Sequence, residues 1–206
     1  VLVSSGSIGA GISALGLQKR PGILPELQAA AAIGQGKLIE IYNKCFEKHG
    51  YHAAQLLLTR QDFEDRQRYL NTCNTLHSLL NFKTIPIINE NDTISVDEIT
   101  FGDNDILSAL VTNLLQADLL ILLSSVDGLY TTPPAPGKSC RVLSVVDSIS
   151  DDIKKLAFKQ KTKEGVGGME SKFEAANIAT GSGEAVIIAN GMQSGILSKI
   201  MNYDDV

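Results

Sequence analysis

The run LLILL at residues 119–123 constrains the fold more than any other stretch. Successive side chains of a strand point to opposite faces, so a strand that is apolar at every position needs cover on both sides. DLLILLSS (118–125) therefore predicts a strand buried on two faces. TIPII (84–88) and the apolar part of EAVIIAN (184–190) repeat the pattern. Such runs, alternating with amphipathic helices, predict an α/β fold with a parallel sheet covered on both faces.

The predicted elements run in the order that this requires. VLVSS (1–5) is β-prone and leads into glycines, with a helix after them. Residues 25–49 read as a helix, with Pro25 in its first turn and Leu27, Ala31, Leu38, Ile41, Tyr42 and Cys45 at inward spacing. Gly34 and Gly36 interrupt it and mark close packing or a site. AAQLLLT (53–59) reads as a strand. A helix is expected from Asp62 to Leu80, with Phe63, Leu70, Cys73, Leu76 and Leu80 inward. A strand follows over 84–89, then a helix over 104–116 and the strand 118–125. TTPPAPGKSCRVLSVV (131–146) suggests a short hairpin. Helices at about 151–159 and 169–181 and a strand over 184–190 complete the order. The chain shows no repeat and no linker, so residues 1–206 are expected to form one α/β domain.

Composition narrows the function. A net charge of -5 argues against a nucleic-acid binder that relies on bulk positive charge. No apolar run reaches the roughly 20 residues that span a bilayer, and the N-terminus lacks the basic segment of a signal peptide. The chain starts without Met inside an apolar run, so its natural beginning is expected upstream. Cys45, Cys73 and Cys140 are odd in number and fit no zinc spacing, which points to reduced thiols and a cytoplasmic location. His49, His52 and His77 form no ligand pair, so no protein-held metal site is expected.

In parallel sheets, ligands sit beyond the carboxyl ends of the strands. Four loops there carry chemistry. SSGSIGAG (4–11) is either an anion-binding turn or a tight strand-to-helix turn; its G-x-x-G-x-G spacing does not fit the dinucleotide fingerprint. NENDTISVDEITFGDND (89–105) contains six carboxylates between a buried strand and a helix. Its pinned ends, Asn89, Asn91, Asp92, Asn104 and Asp105, suit the amino group and polar backbone of an amino acid better than a lone phosphate, which they would repel. Asp103 or Asn104 is alternatively a plain helix cap, and Asp97 and Glu98 read as solvated flap residues. LLSSVDGLY (122–130) is either a nucleotide contact or a simple turn. GVGGMESK (165–172) is not a Walker A loop; it reads either as a site of glycine amides with Lys172 one turn into a helix, or as a mobile loop.

Taken in order, V-S-S-G (3–6), GQGKLI (34–39), LLTR (57–60), PIINEND (86–92), GDND-x-LSAL (102–110), LLILLSSVDGLY (119–130) and GVGGMESK (165–172) resemble the amino acid kinase family, and within it the members that act on glutamate. The resemblance implies a three-layer αβα sandwich with a mainly parallel central sheet. It implies ATP-dependent phosphorylation of the γ-carboxylate of L-glutamate, with Mg2+, as the first step toward proline. By motif position, Ser5, Gly6, Asn89, Asp92 and Asn104 would bind glutamate. Ser124, Ser125 and the run Val166, Gly167, Gly168, Met169, Glu170, Ser171 and Lys172 would bind ATP. Lys172 would also neutralise the transferring phosphoryl group, and Asp105 would orient catalytic lysines. Proline as feedback inhibitor and a homo-oligomer, dimer or tetramer, are implied as well. Two positions depart from the family pattern: Ser125 stands where Asp is commoner, and Glu170 where Ser or Thr is commoner. The family's first strand, with its lysine and glycine-rich turn, would precede Val1, and a further domain or a fused reductase would follow Val206. Two other readings stay open. One is a sister kinase acting on acetylglutamate, carbamate or UMP, of which UMP suits the amide-rich loop least. The other is a non-catalytic α/β protein that senses an amino acid.

Overall fold

The computed structural model of the chain describes residues 1–94, 104–132, 140–159 and 168–203. Of the expectations above, the flap centre with Asp97, Glu98 and Asp103, the tip of the 131–146 hairpin, and Val166 and Gly167 lie outside the described residues. The chain divides into two compact units, Val1–Leu107 and Ser108–Val206.

The first unit is built on a parallel three-stranded sheet in the order β1-β3-β2, formed by β1 (Leu2–Val3), β2 (His52–Leu58) and β3 (Thr84–Glu90). β3 is central and buried from Pro86 to Glu90. It pairs with β2 along its whole length, from His52↔Thr84 to Leu58↔Glu90. On its other edge it pairs with β1 at Leu2↔Ile87 and Val3↔Ile88. Pro86 has no N–H to give, and it falls just before the β1 ladder begins, where a central strand tolerates it.

Four helices accompany this sheet: α1 (Ser7–Ala14), α2 (Leu24–Glu47), α3 (Gln61–Glu64) and α4 (Arg66–Asn81). α2 starts with Pro25 and Glu26 in its first turn and carries Lys44 in its last, which suits the helix dipole at both ends. The helix expected over 62–80 is in fact two. Asp65 is extended at φ -85°, ψ 121°, and its carboxylate accepts a 2.9 Å hydrogen bond from the Arg68 N–H, capping α4. Burial pushes the Asp62 carboxyl up, but the Thr59 N–H and O–H and the Arg68 guanidinium together outweigh it and hold the group below the usual carboxylate range. The inward face is also narrower than the periodicity suggested. Ile41 is 58% exposed, and Cys45, Leu70 and Leu80 are exposed too, whereas Leu76 is fully buried. Periodicity sets the direction of an apolar stripe but not how much of its width a neighbour covers.

α1 and α2 touch backbone to backbone. A Cβ on Gly34 would collide with the Ser7 carbonyl oxygen, and one on Gly11 with the Ala30 carbonyl. A Cβ on Gly36 would meet nothing. The two glycines of the GQG run therefore have opposite substitution costs. Gly34→Ala should destabilise the fold by about 2 kcal/mol or more, because overpacking outweighs the roughly 1 kcal/mol gained in helix propensity. Gly36→Ala should be neutral or stabilising by up to about 1 kcal/mol. Urea unfolding of the two variants checks the pair, and equal effects would contradict the close contact.

The second unit holds a two-stranded parallel sheet, β4 (Leu119–Ser124) and β5 (Ala185–Asn190), in register from Leu119↔Ala185 to Ser124↔Asn190. Most of α5 (Asn104–Leu115), together with α6 (Asp151–Lys159), α7 (Met169–Gly181) and α8 (Ile196–Met201), completes it. The absence of alternation in LLILL has its reason here for its first four residues, whereas Leu123, expected to be buried, is 46% exposed at the strand's end. Leu120 and Leu122 pack with Ala109 of α5 and with Ala175 and Ala179 of α7. Leu119 and Ile121 pack on the other face with Ile196 and Ile200 of α8. The 131–146 region begins and ends as a hairpin, with an antiparallel bridge between Tyr130 and Val142 and a 2.7 Å hydrogen bond from the Leu143 N–H to the Leu129 carbonyl. α8 was not anticipated; its six residues are too few for a periodicity to show.

Candidate functional site

In the first unit, the carboxyl ends of β1 and β3 meet the N-terminal residue of α5. β1 is prolonged by a 2.8 Å bond from the Ser4 N–H to the Ile88 carbonyl. The backbone then bends at Gly6, whose φ of 103° lies in the left-handed region that favours glycine, and enters α1. Across this bend lies Asn104. Its amide nitrogen donates to the Ser5 hydroxyl at 2.9 Å, the Asn89 side-chain oxygen at 2.9 Å and the Ser4 carbonyl at 3.2 Å. The Asn89 oxygen also accepts from the Glu90 N–H at 2.8 Å.

These bonds fix the orientation of both amides and leave one end of each over. The Asn89 Nδ2 donor and the Asn104 Oδ1 acceptor are buried without a hydrogen-bond partner among the described residues. Buried polar groups are nearly always satisfied, so an orphaned donor and acceptor on two linked amides point to a bound molecule. Asp92 joins the same cluster indirectly. Its Oδ2 accepts a 2.6 Å bond from the Ser7 hydroxyl, at the start of α1. Of the five residues expected to bind the substrate, Ser5, Asn89 and Asn104 thus share one hydrogen-bond network, Gly6 makes the bend between Ser5 and Ser7, and Asp92 is attached through Ser7. Ser7 was missed in the sequence, where only a hydroxyl one residue past the glycine marked it. Asp105 lies on the first turn of α5.

In the second unit, Ser124 ends β4 and Ser125 is exposed just beyond it. The Gly191 N–H donates to the Ser124 carbonyl at 2.9 Å, which carries the β4–β5 ladder one step further. Asp127 ties the loops after both strands together. Its Oδ1 accepts from Asn190 Nδ2 at 2.9 Å and Gln193 Nε2 at 3.3 Å, and its Oδ2 from the Tyr130 hydroxyl at 3.2 Å. The hydrogen bonds from Asn190 and Tyr130 hold the Asp127 carboxyl below the usual carboxylate range, while burial and the Asp127 charge push the Tyr130 phenol up. VDG is therefore a turn with a clamp in it, and Asp127 is its centre.

α7 starts after Gly168, which is extended and offers no side chain to cap the helix. The Ser171 hydroxyl donates to the Gly168 carbonyl at 2.9 Å. Glu170 is exposed, whereas Met169 and Lys172 on the same first turn are buried, Lys172 to 8% exposure. A helix start with a lysine in its first turn suits an anion. Among the described residues, no group of three His, Cys, Asp or Glu side chains is placed to hold a metal ion, and no helix is long and apolar enough to cross a membrane. Cys45, Cys73 and Cys140 form no disulfide with one another.

Comparisons with known proteins show the family. A glutamate 5-kinase of Thermoanaerobacter sp. (strain X514) is 50% identical over 206 residues, all of this chain and 55% of that protein. A glutamate 5-kinase of Caldanaerobacter subterraneus subsp. tengcongensis is 52% identical over 200 residues, 97% of this chain and 54% of that protein. The chain thus spans about half the length of these curated relatives, and 77% of a Clostridium acetobutylicum glutamate 5-kinase that is 47% identical. Among solved structures, the isopentenyl phosphate kinase of T. acidophilum covers 96% of this chain at a TM-score of 0.59 and 17% identity, with 76% of that protein matched. The carbamate kinase of Giardia lamblia bound to AMP-PNP covers 96% at a TM-score of 0.56 and 17% identity, with 81% of that protein matched. At such identities these two likenesses show a shared fold. The family profile itself matches residues 1–190, so the chain belongs to the amino acid kinase family.

Proposed function

We propose that this chain catalyses the ATP-dependent phosphorylation of the γ-carboxylate of L-glutamate, giving L-glutamyl 5-phosphate, the first step toward proline. The observation that carries the reading is the orphaned pair in the first unit, Asn89 Nδ2 and Asn104 Oδ1, in the cluster that the Asp92 carboxylate joins through Ser7. An α-amino acid carries an ammonium and a carboxylate on one carbon. Asp92 and the Asn104 oxygen suit the ammonium, and the Asn89 donor suits the carboxylate. An N-acetylated amine would leave the Asp92 charge without a cation, which speaks against acetylglutamate as the substrate.

The reaction itself asks little acid–base chemistry of the protein. The nucleophile is a carboxylate with a pKa near 4.3, ionised at neutral pH, so no general base is required. The obstacle is repulsion between two anions, and phosphoryl transfer is catalysed mainly by positioning and charge stabilisation. Ser124, Ser125 and the run from Val166 to Lys172 would hold the nucleotide, Lys172 would offset charge on the transferring group, and Asp105 would orient catalytic lysines. Mg2+ fits as a companion of the nucleotide, since it binds through phosphates and few carboxylates rather than through a protein cage. When bound, it neutralises charge on the phosphate oxygens.

In this reading both units belong to one amino acid kinase domain, the protein works in the cytoplasm as a homo-oligomer, dimer or tetramer, and proline competes at the glutamate site through its own ammonium and carboxylate. A substrate panel tests the proposal. ATP turnover should depend on L-glutamate, and not on N-acetyl-L-glutamate, carbamate or UMP; turnover with one of these instead would replace the reading with a sister activity. Glutamate binding without turnover would favour a sensor.

A further inference from the structure

We infer that Ser7 is a positioning residue that sets the substrate selectivity of the site by orienting the Asp92 carboxylate. This rests on the reading of Asp92 as the partner of a ligand ammonium.

Asp92 follows the end of β3 by two residues and is half-buried. A carboxylate on a loop gains orientation only from what it is bonded to. Among the described residues Asp92 has one hydrogen-bond partner, the Ser7 hydroxyl, at 2.6 Å from Oδ2. That length belongs to a charge-assisted O–H···O⁻ bond, the stronger class. It engages one carboxylate oxygen and leaves Oδ1 for another donor.

Ser7 itself is tightly packed. It is only 2% exposed. Its carbonyl oxygen lies so close to Gly34 of α2 that no Cβ fits between them, and one turn on, Gly11 is pressed equally against Ala30. Ser7 also begins α1, whose N-cap Gly6 has no side chain to cap the first-turn N–H groups, so an anion at Asp92 faces the favourable end of the helix. The rigid contact between α1 and α2 is thereby passed to a carboxylate 85 residues away. The hydroxyl is not needed to build the helix start, where alanine is tolerated without distortion. Its chemical contribution falls on Asp92.

The consequence is a defined specificity effect. Removing the hydroxyl frees Asp92 to rotate, so a substrate with an α-ammonium loses a preoriented partner. A substrate without one loses nothing. Glutarate, which keeps both carboxylates of glutamate and lacks the amine, is the matching probe.

The test compares wild type and Ser7→Ala in the full-length protein with both substrates, together with thermal melting. We expect kcat/KM for L-glutamate to fall about tenfold through KM, with kcat and the KM for ATP within twofold. The value for glutarate should be unchanged, so the selectivity ratio falls by the same factor, at a melting temperature within a few degrees of wild type. Calorimetric titration of L-glutamate without nucleotide should show the same loss. Parallel losses on both substrates, or an unchanged ratio, would overturn the inference and leave the proposed function standing. A wild-type protein that neither binds nor phosphorylates L-glutamate would overturn both.

Discussion

Lys172→Ala is expected to lower kcat about a thousandfold while leaving the KM for L-glutamate within a few-fold. Lys172 lies on the first turn of α7 and is nine-tenths buried. In the proposed reaction an anionic nucleophile attacks an anionic phosphoryl group. At an effective dielectric of about 20, one charge at 4 Å contributes roughly 4 kcal/mol, and 1.4 kcal/mol is tenfold in rate. A cation that acts on the charge of the transferring group lowers kcat when lost, whereas a cation that only holds the ground state raises KM. Lys172→Met separates charge from volume, since it fills the same space without the ammonium. It should be as inactive as alanine and melt closer to wild type. Lys172→Arg should recover only part of the rate, because a planar fork replaces a compact point charge. Steady-state kinetics with thermal melts decide; a folded Lys172→Met variant with normal kcat would exclude the proposed role.

Asn104→Asp, isosteric with the native residue, is expected to cost more than Asn104→Ala. The Asn104 nitrogen faces three acceptors, the Ser4 carbonyl, the Ser5 hydroxyl and the Asn89 oxygen, all within 3.2 Å. An aspartate places a charged oxygen there instead. The Ser5 hydroxyl can turn to donate, but the Ser4 carbonyl cannot, and Asn89 can flip its amide only by losing the bond from the Glu90 N–H. Leaving buried acceptors opposed costs about 1–3 kcal/mol each. We expect kcat/KM for L-glutamate to fall at least about a hundredfold and the melting temperature to drop by several degrees. Asn104→Ala, which deletes the donor without adding a charge, should lose roughly tenfold. Kinetics and melting of the two variants side by side check the order; Asp tolerated better than Ala would mean that the network is oriented differently.

Much of this arrangement was readable in the residues, and the failures have physical causes. LLILL demanded cover on both faces, and α7 with α5 on one side and α8 on the other supply it for Leu119 to Leu122, though not for Leu123. NEND and GDND were expected at a strand end and a helix start, and Asn89 and Asn104 are bonded to each other there. The break at Asp65 was missed because apolar spacing continues through it, although an Asp three residues before Arg68 is a capping signal. Leu70, Leu80, Ile41 and Cys45 were placed inward because a heptad-like pattern cannot report how wide the covered stripe is. Gly34 and Gly36 looked alike in sequence, and only the approach of α1 distinguishes them. The role of Ser7, and that of Asp127 beyond its turn, escaped notice for a related reason. Both act through partners distant in the chain, 85 residues away for Ser7 and 63 for the Asp127–Asn190 bond, and a single sequence carries no record of such pairs.

The central claim is that the acceptor is the γ-carboxylate of L-glutamate. An acyl phosphate is trapped by hydroxylamine as a hydroxamate, which reports the bond formed rather than ATP consumption alone. Full-length protein incubated with ATP, Mg2+, L-glutamate and hydroxylamine should yield γ-glutamyl hydroxamate in step with ADP, and neither without glutamate. ADP release that is indifferent to glutamate, with no hydroxamate formed, would contradict the account.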